Sequence, residues 1–401
     1  MFKDDESQPK SVRRCRSAVS TTISVVLLFA ACHSATDLMS ESTFAQQQGA
    51  FDEILTKSNP FLSISNSPSD SSRPNLLRLD PIDPNGLYAP IVTALAASRD
   101  GKWLVAAGDD HAIRVVDRST GKLHKLLEGH LDWVQSVAIL DDNQTILSCG
   151  NDGTLRAWSV EPESKSFDVL YRGTIALLSM AISPDNQFVA IGGFGNAIRV
   201  HDIRTGKLHR EMICECNDQR ALAFSGDGLQ LASGGRDGVL RIWSLASGDD
   251  KPLVPLEQKL HNGRIRSVSF SSDASVVTTV AEDRRLVRYR THDGQIFLDQ
   301  KINGGKLMAM TTIDSRLVAV AGADNTIRIM DSEDGKEVHR LVGHDGSVVT
   351  LLRSGDELIS SSFDTTIRYW SLEKAVQHDA APYEHPVSAR YVDSGVSENI
   401  R

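Results

Sequence analysis

Cysteine is scarce in this chain, basic excess is absent, and long apolar runs are almost missing. Each shortage excludes something. Five cysteines in 401 residues cannot staple a fold of this size, which has enough apolar residues to bury a core without them. If the first 31 residues are removed and Cys32 is modified, Cys149, Cys214 and Cys216 remain, an odd number. Cys214 and Cys216 stand one residue apart on an expected strand, where alternate side chains point to opposite faces, so no bridge between them is expected. No second Cys/His pair at zinc spacing accompanies them, and no metal is expected. A formal charge of −9 argues against general nucleic-acid binding, which needs a basic surface. The apolar run ISVVLLFAA, Ile23 to Ala31, falls well short of the about 20 residues that a spanning helix requires.

That short run instead follows a polar start and Arg13, Arg14 and Arg16, the order of an export signal over residues 1–31. Cys32 comes directly after Phe29-Ala30-Ala31, which resembles the lipobox of bacterial lipoproteins, with Phe29 in place of the usual Leu. The resemblance implies cleavage before Cys32 and lipidation of it. An ordinary signal cut near Ala35 or Ala45, and an uncleaved or unexported chain, stay open. Residues 32–73 are rich in Ser, Gln, Asn and Pro and read as a disordered, flexible tether. Residues 375–401 read as a polar tail.

What the chain has in abundance is a repeated phrase. DGTLRAWS from Asp152 returns as DGVLRIWS from Asp237 and DTTIRYWS from Asp364, and looser copies begin at Asp110, Gly195, Asp283 and Asp324. The seven copies are spaced by 42, 43, 42, 46, 41 and 40 residues. A period of about 40–45 residues is that of a four-stranded propeller blade. Within a copy, alternating runs such as VQSVAIL and TLRAWSV are separated by Asp/Asn/Gly turns, and Gly121 and Gly206 open hairpins into a fourth strand. An antiparallel four-stranded sheet cannot cover its own two apolar faces, so seven of them are expected to stack radially into an all-β, seven-bladed propeller over residues 74–374.

These residues resemble the WD40-repeat family, whose repeats carry a hydrogen-bonded His–Ser–Asp–Trp tetrad. The match is His130, Ser148, Asp152 and Trp158 in repeat 2, and His344, Ser360, Asp364 and Trp370 in repeat 7. Repeat 5 keeps His261, Thr279 and Asp283 but has Tyr289 for Trp, and repeat 4 keeps Ser233, Asp237 and Trp243 with Cys214-Glu215 where His would stand. Repeat 7 ends without an outer strand while NLLRL, Asn75 to Leu79, precedes repeat 1 unclaimed. Pairing the two closes the ring and removes a sheet edge.

The resemblance implies a non-catalytic binding platform. His130, Ser148 and Asp152 have the composition of a hydrolase triad, but a set that recurs in repeat 7 is structural, since a nucleophile is needed once. The Arg of the third strand, at Arg114, Arg156, Arg199, Arg241, Arg328 and Arg368, recurs with the period and is assigned to packing and ion pairing within blades. Variable positions on one face carry the functional expectation. Arg220, Arg236, Arg264 and Arg266 form a basic arc over repeats 4 and 5, joined by Glu282, and Trp133, Phe194 and Phe363 add aromatic groups. Exposed Trp, Phe and Arg dominate protein–protein hot spots. The face is expected to dock an acidic segment of a protein partner, on a monomeric, lipid-anchored scaffold in the bacterial envelope that uses no cofactor. The alternative is an exported propeller enzyme or small-ligand binder, lactonase-like, using the central channel, for which Glu282 is a candidate.

Overall fold

In a computed structural model, residues 76–81, 89–164, 167–214, 218–245 and 255–372 are described. The expected leader with Cys32, the tether and the polar tail lie outside the described residues. Those described form an all-β propeller of seven four-stranded antiparallel sheets.

Blade 2 shows how the sequence writes a blade. Val134–Ile139, Thr145–Gly150, Thr154–Ser159 and Asp168–Arg172 follow one another from the channel outward. The second strand is buried along almost its whole length, because both of its faces lie against neighbouring blades, whereas the outermost strand is largely exposed. Between the second and third strands the turn needs a left-handed residue after the Asp. Gly153 (φ 70°) and Gly238 (φ 68°) supply it at no steric cost in blades 2 and 4.

The innermost strands begin at Val92, Val134, Leu177, Gln219, Ile265, Leu307 and Val348, each packs against the next, and the seventh packs back against the first. Blade 7 takes its outer strand from the beginning of the described chain. Leu76, Leu77 and Arg78 pair with Arg368, Ile367 and Thr366, so the strand inferred from NLLRL closes the ring. Polar bonds reinforce the seam: Ser361 Oγ donates to the Val92 carbonyl at 3.0 Å, Thr350 Oγ1 to that of Thr93 at 3.0 Å, and Arg118 meets Glu357 at 2.9 Å.

The cysteine reading needs one correction. Cys214 is disulfide-bonded. It lies just beyond the outer strand Leu208–Ile213, so the strand alternation invoked against a Cys214–Cys216 bridge does not govern its direction. Its partner lies outside the described residues. Cys149 is free and buried, and burial pushes its thiol far up, which makes it unreactive.

Candidate partner-binding face

In blade 2, His130 Nδ1 lies 2.9 Å from Asp152 and its Nε2 2.7 Å from Ser148 Oγ, which also receives Trp158 Nε1 at 2.8 Å. Directions follow from what each group can do. An indole N–H only donates and a carboxylate only accepts, so Nδ1 carries the proton and Nε2 accepts from the serine hydroxyl. Blade 7 repeats the chain with His344, Asp364, Ser360 and Trp370 at 2.8, 2.7 and 2.8 Å. In blade 5, His261 joins Asp283 at 3.1 Å and Thr279 at 2.8 Å beside buried Tyr289. Burial works against the Asp364 carboxylate, yet hydrogen bonds from Thr366, His344 and the Asp345 amide hold it at about 2. Asp152 is likewise held well below the usual range against its burial, mainly by His130. Ser148, Ser360 and Thr279 are fully buried, out of reach of any substrate.

The third-strand arginines also turn inward to the blade. Arg114, Arg156, Arg241 and Arg328 each reach the turn aspartate four residues earlier, at 2.6, 3.2, 2.7 and 2.6 Å, and Arg199 meets Glu211 at 2.7 Å.

Every innermost strand is irregular at its start. Each has a register shift that leaves its second residue unpaired: Thr93, Gln135, Leu178, Arg220, Arg266, Met308 and Val349. A bulge re-aims a side chain, and all seven line one cavity of 530 Å³ in the channel. In blade 2 the bulge brings the Trp133 carbonyl so close to Gly150 that a Cβ there would lie 2.4 Å from its oxygen. The sequence reading missed this ring. Its signal is the second position of each innermost strand, and Arg220 and Arg266 of the expected face stand at it.

Trp133, Phe194 and Phe363 join the cavity wall and are 39%, 48% and 44% exposed. Of the eight expected face residues, these three with Arg220 and Arg266 share the cavity, whereas Arg236, Arg264 and Glu282 do not line it. Arg236 is exposed. Arg264 lies in an ion-pair cluster, bonded to buried Asp218 at 2.9 Å and to Glu282 at 3.0 Å. Arg220 shares Asp218 at 3.0 Å and sits 5.5 Å over the Phe194 ring. Lys306 meets Glu282 at 3.1 Å. The arc read as basic is thus partly neutralised by two carboxylates embedded in it. Burial works to raise the Glu282 carboxyl, but Lys306 and Arg264 hold it below its ordinary value.

Comparison with known proteins agrees with this architecture. The family model for the WD domain, G-beta repeat, matches residues 87–117, 121–159 and 207–244. A second, described as outer membrane protein assembly factor BamB, matches residues 236–368. Protein tipD of Dictyostelium discoideum is 26% identical over 292 residues, 70% of this chain and 47% of its own length. Striatin-4 of Homo sapiens is 25% identical over 278 residues, 62% of this chain and 37% of its own. Nuclear distribution protein PAC1-1 of Uncinocarpus reesii is 25% identical over 334 residues, 78% of this chain and 68% of its own. The chain therefore spans less than half the length of the first two. Seven blades, their tetrads and these matches together make the described residues a propeller of WD40-type repeats. Propellers of this kind are typical protein-interaction scaffolds.

Proposed function

We propose that this protein is a non-catalytic, monomeric scaffold that docks protein partners on the channel-mouth face, held in a bacterial envelope through lipid on Cys32. The observation that carries the docking reading is the gathering of exposed Trp133, Phe194 and Phe363 with Arg220 and Arg266 around one cavity. Aromatic and arginine side chains at the centre of a patch supply most of the energy of a protein interface. The envelope reading rests on the Arg-rich start, the short apolar run and Cys32, and the match of residues 236–368 to an outer membrane assembly factor supports it. A channel hydrolase would need carboxylates free to converge on a metal or substrate. Glu282, its candidate, is engaged by Arg264 and Lys306.

Crosslinking capture from membrane and soluble fractions tests both halves. The double variant Phe194→Ser with Arg236→Glu alters two exposed turn residues and should abolish capture of the partner while the ring stays folded. Cys32→Ser should move the protein out of the membrane fraction and remove the lipid from its intact mass. Undiminished capture would place the docking surface elsewhere, and unchanged fractionation would refute the anchor.

A further inference from the structure

The charges around blades 4 and 5 do not balance. Four cations, Arg220, Arg264, Arg266 and Lys306, share two carboxylates, Asp218 and Glu282. Asp218 is used by Arg220 and Arg264, and Glu282 by Arg264 and Lys306. Among the described residues, that leaves Arg266 one carboxylate contact, to Glu282 at 3.8 Å, beyond hydrogen-bond reach. Its side chain is nonetheless 18% exposed. Burial first, and then repulsion from Arg220, press its pKa below the ordinary arginine value. An anion beside it would relieve both.

The two arginines occupy the same bulge position on neighbouring blades, and both line the cavity. A guanidinium presents paired donors in a plane that matches a carboxylate. Deeper in the wall several hydroxyls are already engaged. The hydroxyls of Ser179, Ser267 and Thr350 donate to the carbonyls of Gln219, Met310 and Thr93. Between them lie the hydrocarbon groups of Leu95, Val137, Met180 and Leu222. At the rim stand the exposed rings of Trp133, Phe194 and Phe363. The site therefore offers cationic donors on one side, the paired side chains of Gln135 and Asn151 on another, and apolar surface between them.

Resting on the scaffold reading, we propose that the channel mouth receives one carboxylate side chain of a partner segment, seated between Arg220 and Arg266, with the segment's apolar neighbours packed on the aromatic rim. An Asp or Glu flanked by aliphatic residues matches both the paired arginines and the aromatic rim.

Fluorescence anisotropy with the full-length protein and labelled, capped pentapeptides tests this. The first peptide has a central glutamate between two leucines, and the second replaces that glutamate by glutamine. The glutamate peptide is expected to bind, and the glutamine peptide, or Arg266→Gln in the protein, to weaken binding about tenfold or more, the worth of a charge-assisted hydrogen bond. Arg266→Lys, which keeps the charge without the fork, should fall between. Thermal unfolding of both variants verifies that they are folded. Equal affinity for the two peptides, no effect of Arg266→Gln, or no binding of the glutamate peptide would overturn the proposal. Glutarate binding as tightly as the peptide would make this a small-anion site instead, and a phosphoserine peptide binding tenfold tighter would replace the carboxylate as occupant. If these outcomes go against insertion while Phe194→Ser with Arg236→Glu still abolishes capture, insertion alone falls and the scaffold stands.

Discussion

Blades 2 and 4 are written in nearly the same words and solve the same problem differently. Trp158 pairs across the ladder with Ile146 and Trp243 with Leu231, and Ser148 and Ser233 occupy one register, opposite Arg156 and Arg241. In blade 2 the serine joins tryptophan to histidine. In blade 4, without that histidine, Ser233 Oγ and Trp243 Nε1 have no hydrogen-bond partner among the described residues. Trp243 is fully buried all the same, within a cluster that includes Leu231, Met212 and Ile198. Burying a large side chain is worth about 2–3 kcal/mol, and one net hydrogen bond about 1 kcal/mol. The indole therefore goes where packing sends it. The tetrad satisfies polar groups that would otherwise be costly, and blade 4 stabilises its turn by another route, with Arg241 bonded to both Asp237 and Glu257 at 2.7 Å.

Three measurements test this difference between the blades. The largest effect is expected for Ser148→Ala in blade 2, which strands an indole N–H and a histidine nitrogen in a buried site. A loss of about 2–4 kcal/mol in urea unfolding follows from two unsatisfied groups, and a loss under about 1 kcal/mol would mean that the tetrad is decorative.

Next comes acid. Burial lowers the pKa of His261 and His344 below 6.5, although their aspartates pull the other way. The unfolded chain then binds more protons than the native one between the depressed pKa and 6.5, so stability is complete above about pH 6.5 and declines as the pH falls through it. The melting temperature should drop between pH 7.5 and 5.5. His344→Gln should reduce that drop while lowering stability at pH 7.5, and an undiminished drop would show that His344 is not its source. Blade 4 contributes nothing of this kind, having no histidine at that place. The smallest effect is expected for Ser233→Ala, at the same register as Ser148, within about 0.5 kcal/mol, because its hydroxyl has no partner to lose. A cost comparable with that of Ser148→Ala would mean that Ser233 is satisfied after all.

Much of the fold was legible because its signals are local. Turn chemistry at Asp152 and Asp237, strand alternation and an even period give seven sheets, and the orphan NLLRL gives the closure. The tetrads were legible too, since their members recur at fixed offsets. The face was legible only in part. Arg264 was read as a free cation of a basic arc, yet it pairs with Asp218, 46 residues away on the preceding blade. The bulge in every innermost strand, which selects the ring of channel residues, leaves no composition of its own: Thr93, Leu178 and Met308 have little in common except position.

The number of blades, their strands, the residues of the tetrads and the strand that closes the ring all follow from residue order. All of these rest on backbone and turn preferences that act over short stretches of chain, the closing strand being the one segment left over when the repeats are counted. Which variable residues of different repeats meet is settled in the folded ring: two arginines of neighbouring blades in one cavity wall, three aromatics at its rim, and two carboxylates dividing the cations among themselves. Those encounters are set by the stacking of one blade on the next, and no spacing within a single repeat encodes them.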